Sequence, residues 1–209
     1  MKIQVTHFTT TDLNGINKEL LNFASLAHPK HISEIYKDIP SPRIGYLGHV
    51  RNWIDFSLIH SLALEKPNYS FVFLGSIEKH AQINKIPNLK NVFFLDRVDY
   101  NLVMFHLKLM DACIIPFRIN KFMINCCPNK LFEYLAAGKP IVSTDLPEVR
   151  KFSPYARTAK DKEEFVRLLE EAVKISPDYQ IPPEIIEENL WENRVEQMLK
   201  VVEDTINNR

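Results

Sequence analysis

The 209-residue chain balances 26 lysines and arginines against 26 aspartates and glutamates, which excludes a long-range field that would draw nucleic acid or another polyanion to the whole surface. Its length suits one well-buried domain with an appendage and is too short for two of full size. No stretch approaches the roughly 20 apolar residues of a spanning helix, the amino terminus lacks the apolar run of a signal peptide, and Cys113, Cys126 and Cys127 have no metal-like spacing. The expectation is a protein of the reducing cytoplasm.

Residues 1–41 offer a strand at Ile3 to Phe8, a helix from Ile16 to Ala27 and a proline-bounded passage running up to Pro42. That is too little for an independent core. From Arg43 onward, short apolar runs alternate with longer segments of helical period, the pattern of a parallel sheet covered on both faces. The strands predicted are Arg43 to Leu47, Ser70 to Leu74, Asn91 to Leu95, Ala112 to Pro116 and Pro140 to Ser143. Between them, Ile54, Leu58 and Leu62 share a helix face, and Tyr100 to Met110 is apolar enough to pack on the sheet. A helix from Leu131 to Ala137 ends on Gly138 as a left-handed cap. Asp161 and Glu164 form a capping box ahead of Phe165, Leu168, Leu169, Ala172 and Val173. After Pro182-Pro183, the stripe of Trp191, Val195, Met198, Leu199 and Val202 predicts a long final helix that buries one face, against a partner that can lie outside the sheet. The fold expected is therefore α/β, a Rossmann-like parallel sheet with helices on both faces, spanning residues 42–209.

In such a sheet ligands bind beyond the carboxyl ends of the strands. One place there is GYLGHVR, Gly45 to Arg51: Gly48 permits close backbone approach, and Arg51 can meet a phosphate through two donors. Alone, such a glycine is more often only a turn residue. No GxGxxG is present, which argues against nicotinamide or flavin. The second place is the start of the helix after Pro128, where free amides of Asn129 to Leu131 and the helix dipole favour an anion, and Lys130 adds a full charge. Glu133, one turn along, is placed to accept hydrogen bonds from a ribose diol; single charges on helices are otherwise mostly solvated. His49 reads as a catalytic base or, more often in such a turn, as a structural or solvated residue. Trp53 reads as a stacking surface or, at the start of an amphipathic helix, as core. The loop from Phe117 to Cys127 reads as a contact to a ligand or as a seam to another domain.

These segments carry a resemblance. PNKLFEYLAAGKPIVSTDLPE, Pro128 to Glu148, resembles the donor-site signature of GT-B glycosyltransferases of the family 4 type, the glycosyl transferases group 1. Arg43 to Gly48 (RIGYLG) resembles the first strand and glycine turn of the family's carboxyl-terminal domain. Phe94 to Val98 (FLDRV) resembles its nucleobase loop, which brings in Arg97 and Val98, and Asp111 to Phe117 (DACIIPF) resembles the strand before the donor loop. The helix beginning at Trp191 is similar to the family's closing helix.

The resemblance implies the carboxyl-terminal, nucleotide-sugar-binding half of a GT-B fold. It implies retaining transfer of a hexosyl group from a UDP- or GDP-sugar, with no metal or other cofactor, in polysaccharide or glycoconjugate synthesis. The acceptor would be held by a separate amino-terminal domain or subunit, of which residues 1–41 resemble a remnant and linker, and any peripheral association with the inner face of the membrane would run through that missing half. In the family, two glutamates separated by seven residues serve the donor. Glu133 fits the later position, while Asn125 stands where the earlier acid would be, so Asn125, Lys130 and Glu133 fall at the reacting end without the family's first carboxylate. Arg51 stands at a shifted position relative to the family's phosphate-binding residues. The expectation is donor binding with little transfer by this chain alone. A rival reading is a non-catalytic Rossmann-like module that binds a nucleotide sugar or a protein. A nucleotide-sugar epimerase of the same fold would need further acids and histidines that the sequence lacks.

Overall fold

The computed structural model describes residues 14–24, 26–86, 89–175 and 179–207. Two short helices, α1 (Lys18–Ala24) and α2 (Lys30–Ile35), precede β1 (Arg43–Leu47), α3 (Phe56–Glu65), β2 (Ser70–Leu74) and β3 (Val92–Leu95). There follow α4 (Val103–Lys108), β4 (Ala112–Ile115), α5 (Asn129–Ala136), β5 (Ile141–Thr144), α6 (Pro147–Arg150), β6 (Ala156–Ala159), α7 (Lys162–Ala172), α8 (Pro183–Glu188) and α9 (Trp191–Asn207). The strands are all parallel and lie in the order β3-β2-β1-β4-β5-β6. This is the Rossmann-like sheet expected from the sequence, and strand order reverses between β1 and β4.

Every residue of β2, β4 and β5 is buried, because helices cover both faces and no side of those strands meets water. The edge strand β6 went unpredicted. Its sequence, ARTA, carries no apolar run, and Arg157 and Thr158 stay half-exposed; it pairs because the open edge of β5 offers unsatisfied backbone groups.

Helix starts follow their caps. The Asp55 carboxylate accepts from the amides of Ser57 and Leu58 at 3.0 and 3.1 Å, so α3 begins at Phe56. The buried face is then Phe56, Ile59, Leu62 and Ala63, while Ile54, expected on that face, lies ahead of the helix and bridges to Phe117. In α7 the expected cap is present: Asp161 accepts from the Glu164 amide at 2.8 Å, and the Glu164 carboxylate reaches back to the Lys160 amide at 3.0 Å. Gly138 closes α5 at φ 63. The segment expected to be helical from Tyr100 to Met110 divides into a 3-10 turn, Tyr100–Leu102, and α4.

The strand expected at Ile3 to Phe8 lies outside the described residues. The helix expected from Ile16 to Ala27 is the shorter α1, and α2 lies in the passage read as proline-bounded. Both pack into the core of the sheet domain: Ile16, Leu20, Ile32 and Tyr36 are buried, Phe23 meets Phe105 edge-on at 6.3 Å, and the Tyr36 hydroxyl lies 2.7 Å from Nδ1 of buried His106.

The final helix is present but departs from expectation. No residue of α9 is buried, and Val195, Leu199 and Val202 are 46%, 57% and 46% exposed. Periodicity reports that a stripe exists and is silent on which surface meets it. The helix is held at its first turn, where the Trp191 amide donates to the Ile16 carbonyl at 3.1 Å and Arg194 lies over the Phe132 ring at 5.0 Å.

Candidate functional site

Where strand order reverses, the turns after β1 and β4 leave a crevice. On the β1 side the ladder with β2 continues past the strands: the Gly48 amide donates to Leu74 O, Val50 to Ser76 O and Glu78 to Val50 O, each at 2.9 Å. The turns run so close together that a Cβ on Gly75 would stand 2.4 Å from the Gly48 carbonyl oxygen, and Gly75 and Gly48 adopt φ 143 and φ 126. Only glycine takes both conformation and contact without strain. Beneath them the Tyr134 hydroxyl, from α5, accepts the Leu47 amide at 2.9 Å, and the Tyr46 hydroxyl donates to the His49 carbonyl at 3.0 Å. Burial holds both phenols well above their ordinary pKa, so they serve as neutral hydrogen-bonding groups.

From the β4 side, α5 delivers Lys130 and Glu133. The Lys130 ammonium reaches to 2.6 Å from where a Cβ on Gly48 would be and rests over the rings of Tyr46 at 4.8 Å and Phe117 at 5.8 Å. Among the described residues it has no carboxylate within ion-pairing distance, and neither has Glu133 a cation. Burial pushes the Lys130 pKa down, with Glu133 acting against it, and pushes the Glu133 carboxyl up, with Lys130 acting against it. Both charged forms are thus short of solvation, the state of groups that gain most from a ligand of opposite charge or matching hydrogen bonds.

Glu133 opens into a cavity of about 300 Å³ that it shares with Gly48, His49, Ser76, Arg97, Val98 and Tyr100, at the small end of the range for small-molecule sites. Of the residues singled out in the sequence, Gly48, His49, Arg97, Val98 and Glu133 line this cavity, and Lys130 abuts its Gly48 wall. The rest stand elsewhere. Phe117 backs Lys130 and faces a neighbouring cavity of about 490 Å³ beside Asp55, Thr144 and Lys160. Asn129 is exposed at the first position of α5, and Leu131 is core, its amide bonded to Pro128 O at 3.0 Å. Asn125, itself exposed, ends a 3-10 turn, with its side-chain amide on Lys121 O at 3.0 Å. Arg51 turns away from the cavity, with Nε 3.8 Å from Glu78 and the guanidinium 5.1 Å over the Trp53 ring; Trp53 in turn packs edge-on to Phe117 at 6.3 Å.

Sequence reasoning missed Gly75, Ser76 and Tyr100. The first two carry a readable signal, a Gly-Ser pair directly after the apolar run Phe71 to Leu74. Tyr100 carries none. Among the described residues no group of three or more His, Cys, Asp or Glu side chains could hold a metal ion, and no helix is long and apolar enough to cross a membrane.

The profile of the family described as "Glycosyl transferases group 1" matches residues 41–174. The putative teichuronic acid biosynthesis glycosyltransferase TuaH of Bacillus subtilis (strain 168) is 31% identical over 145 residues, 68% of this chain and 36% of that protein. Among solved structures, an E. coli trehalose-6-phosphate structure bound with UDP-2-fluoro glucose superposes with TM-score 0.65 at 16% identity, over 89% of this chain and 50% of that one. Anabaena HepE, in complex with UDP and glucose, superposes with TM-score 0.58 at 14% identity, over 91% of this chain and 55% of that one. The chain thus spans about half the length of these GT-B structures and about a third of TuaH.

Proposed function

This chain belongs to the group 1 glycosyltransferases, and on that premise we propose that the cavity between the β1 turn and α5 binds the nucleotide of a UDP- or GDP-sugar, making residues 42–209 the donor half of a retaining hexosyltransferase. The observation that carries this reading is the pair formed by Lys130 and Glu133, a carboxylate lining the cavity at the strand-order reversal and a cation against its Gly48 wall, neither with an ion-pair partner among the described residues. A nucleoside diphosphate satisfies both. Its phosphates lie against Lys130, the Gly48 turn and the amides of Asn129 and Lys130 at the start of α5, the Leu131 amide being held by Pro128 O. Its ribose diol donates to Glu133, and its base lies toward Arg97 and Val98. The sugar extends toward Phe117 and the loop holding Asn125.

In this reading the bond broken joins the anomeric carbon to the diphosphate, and the charge that develops on the leaving oxygen is met by the Lys130 ammonium and the helix terminus. Stabilisation that grows as the charge departs accelerates the step. No metal is required by this arrangement, and the acceptor is held by an amino-terminal domain to which residues 1–41 lead. Likeness to TuaH favours a polysaccharide or related glycoconjugate as product, made in the cytoplasm at the inner face of the membrane. A second reading, a nucleotide-sugar-binding module without chemistry, is favoured by Asn125, an amide that brings no negative charge beside the sugar and whose side chain is engaged with Lys121 O.

Calorimetric titration of the chain with UDP and GDP tests the site. Lys130→Ala and Glu133→Ala should each weaken binding about tenfold or more, since hydrogen bonds to charged groups are worth about 1.5–3 kcal/mol. Tight binding indifferent to both substitutions defeats the assignment. Transfer from a donor sugar should be slight in the isolated chain, and robust transfer would show that no further domain is needed.

A further inference from the structure

His49 lines the cavity and has no role in the reading above. Its ring is fixed by Ser76, whose Oγ lies 2.6 Å from Nδ1. Its backbone is fixed as well: the His49 carbonyl accepts from the Tyr46 hydroxyl at 3.0 Å, and the next residue, Val50, bonds Ser76 O at 2.9 Å. Among the described residues Nε2 has no partner, and the residue stands exposed next to Gly48, near which the Lys130 ammonium also lies. The remaining charged groups around the cavity are Arg97 and Glu133.

What the imidazole offers depends on how it shares a proton with the Ser76 hydroxyl. With the hydroxyl donating to Nδ1, the proton of the neutral ring resides on Nε2, which becomes a hydrogen-bond donor; protonation of the ring leaves it a donor still. A donor adjoining the Gly48 turn, with an ammonium at the same glycine that has no ion-pair partner among the described residues, matches phosphate oxygens better than ribose or base. We infer that His49 is a further donor-contacting residue, its Nε2–H bonding the diphosphate of the nucleotide sugar, with Ser76 as the positioning residue that sets its tautomer. This rests on the donor-site reading and adds a residue to it.

The test is titration of the full chain, followed by NMR so that millimolar affinities are also read, with UDP or GDP (whichever the unaltered protein binds better) and with the matching nucleoside. His49→Ala should weaken diphosphate binding about tenfold or more and leave nucleoside binding within about twofold, while His49→Gln, whose side-chain amide also donates, keeps most of the affinity. Ser76→Ala should lower the ratio of diphosphate to nucleoside affinity, and Ser76→Thr should restore it, a pattern that general loosening of the turn does not give. Diphosphate affinity unchanged in His49→Ala but lost in Lys130→Ala overturns this inference and leaves the donor site standing. Equal loss of diphosphate and nucleoside affinity also overturns it, placing His49 on the ribose or base. Failure of the unaltered chain to bind any of the ligands removes the donor-site reading and this inference together.

Discussion

Replacing Gly48 by alanine perturbs backbone and site at once, and the two effects separate. At φ 126 an L residue is strained, a cost on the order of 1–3 kcal/mol, which for a domain of this size lowers Tm by roughly 3–10 °C. The new Cβ would also stand 2.6 Å from the Lys130 Nζ and 3.2 Å from its Cε. The obstruction is the far end of a flexible side chain, so Lys130 swings aside and leaves its place over Tyr46, and the cation is lost to the ligand. Gly48→Ala should therefore lower both Tm and UDP affinity. In a Lys130→Ala background the collision no longer exists: the same Tm loss should remain, while the further loss of affinity should largely vanish. A thermal melt and a titration on the four proteins of this double-mutant cycle give the coupling directly. Equal affinity losses from Gly48→Ala in both backgrounds would refute the idea that glycine is there to admit the lysine.

Tyr134→Phe removes the hydroxyl that accepts the Leu47 amide, leaving a buried donor unpaired; about 1–3 kcal/mol should be lost, seen as a lower urea midpoint at unchanged slope. Buried His106 has its pKa lowered from 6.5 to about 4, chiefly by burial and further by His28 and His31. The unfolded chain therefore binds a proton that the folded one refuses, and stability from this residue is full above about pH 6.5 and falls as pH drops toward 4, by up to about 3 kcal/mol. His106→Asn should flatten that part of a stability-against-pH curve. Because Val195, Leu199 and Val202 are exposed, changing all three to glutamine should alter stability by less than about 1 kcal/mol; a larger drop would show that the stripe is covered within the isolated chain.

The sheet was legible because its strands are covered on both faces, so sequences such as SFVFL and ACII report burial without ambiguity. The edge strand β6 was hidden because an edge needs little apolar content, and its pairing comes from the backbone of β5. Asp55 marked the start of α3 as plainly as Asp161 marked that of α7, but the apolar Ile54 ahead of it shifted the reading by half a turn. At the candidate site, residues on the chain's own helix-start pattern, Lys130 and Glu133, could be named from spacing. Ser76 and Tyr100 could not be joined to them, because what brings them together is the parallel register of β1 with β2 and the short crossover after β3. Spacing alone could not tell that Arg51 would lie beside Glu78, which the turn after β2 supplies.

The pairing of Ile16 with the far end of the sequence bears on how the protein is made. The Ile16 amide donates to Asn189 O at 2.7 Å and its carbonyl accepts from Trp191, so the segment around Ile16 cannot finish its bonding until Trp191 has left the ribosome. The central strand β1 likewise gains β2 early but waits for β4. Such contacts between distant parts of a chain are slow to form, and until they form the apolar faces of Ile16, Leu20 and Tyr36 stand open to other molecules. Synthesis of this protein thus includes an interval in which a chaperone or a partner domain can occupy that face first.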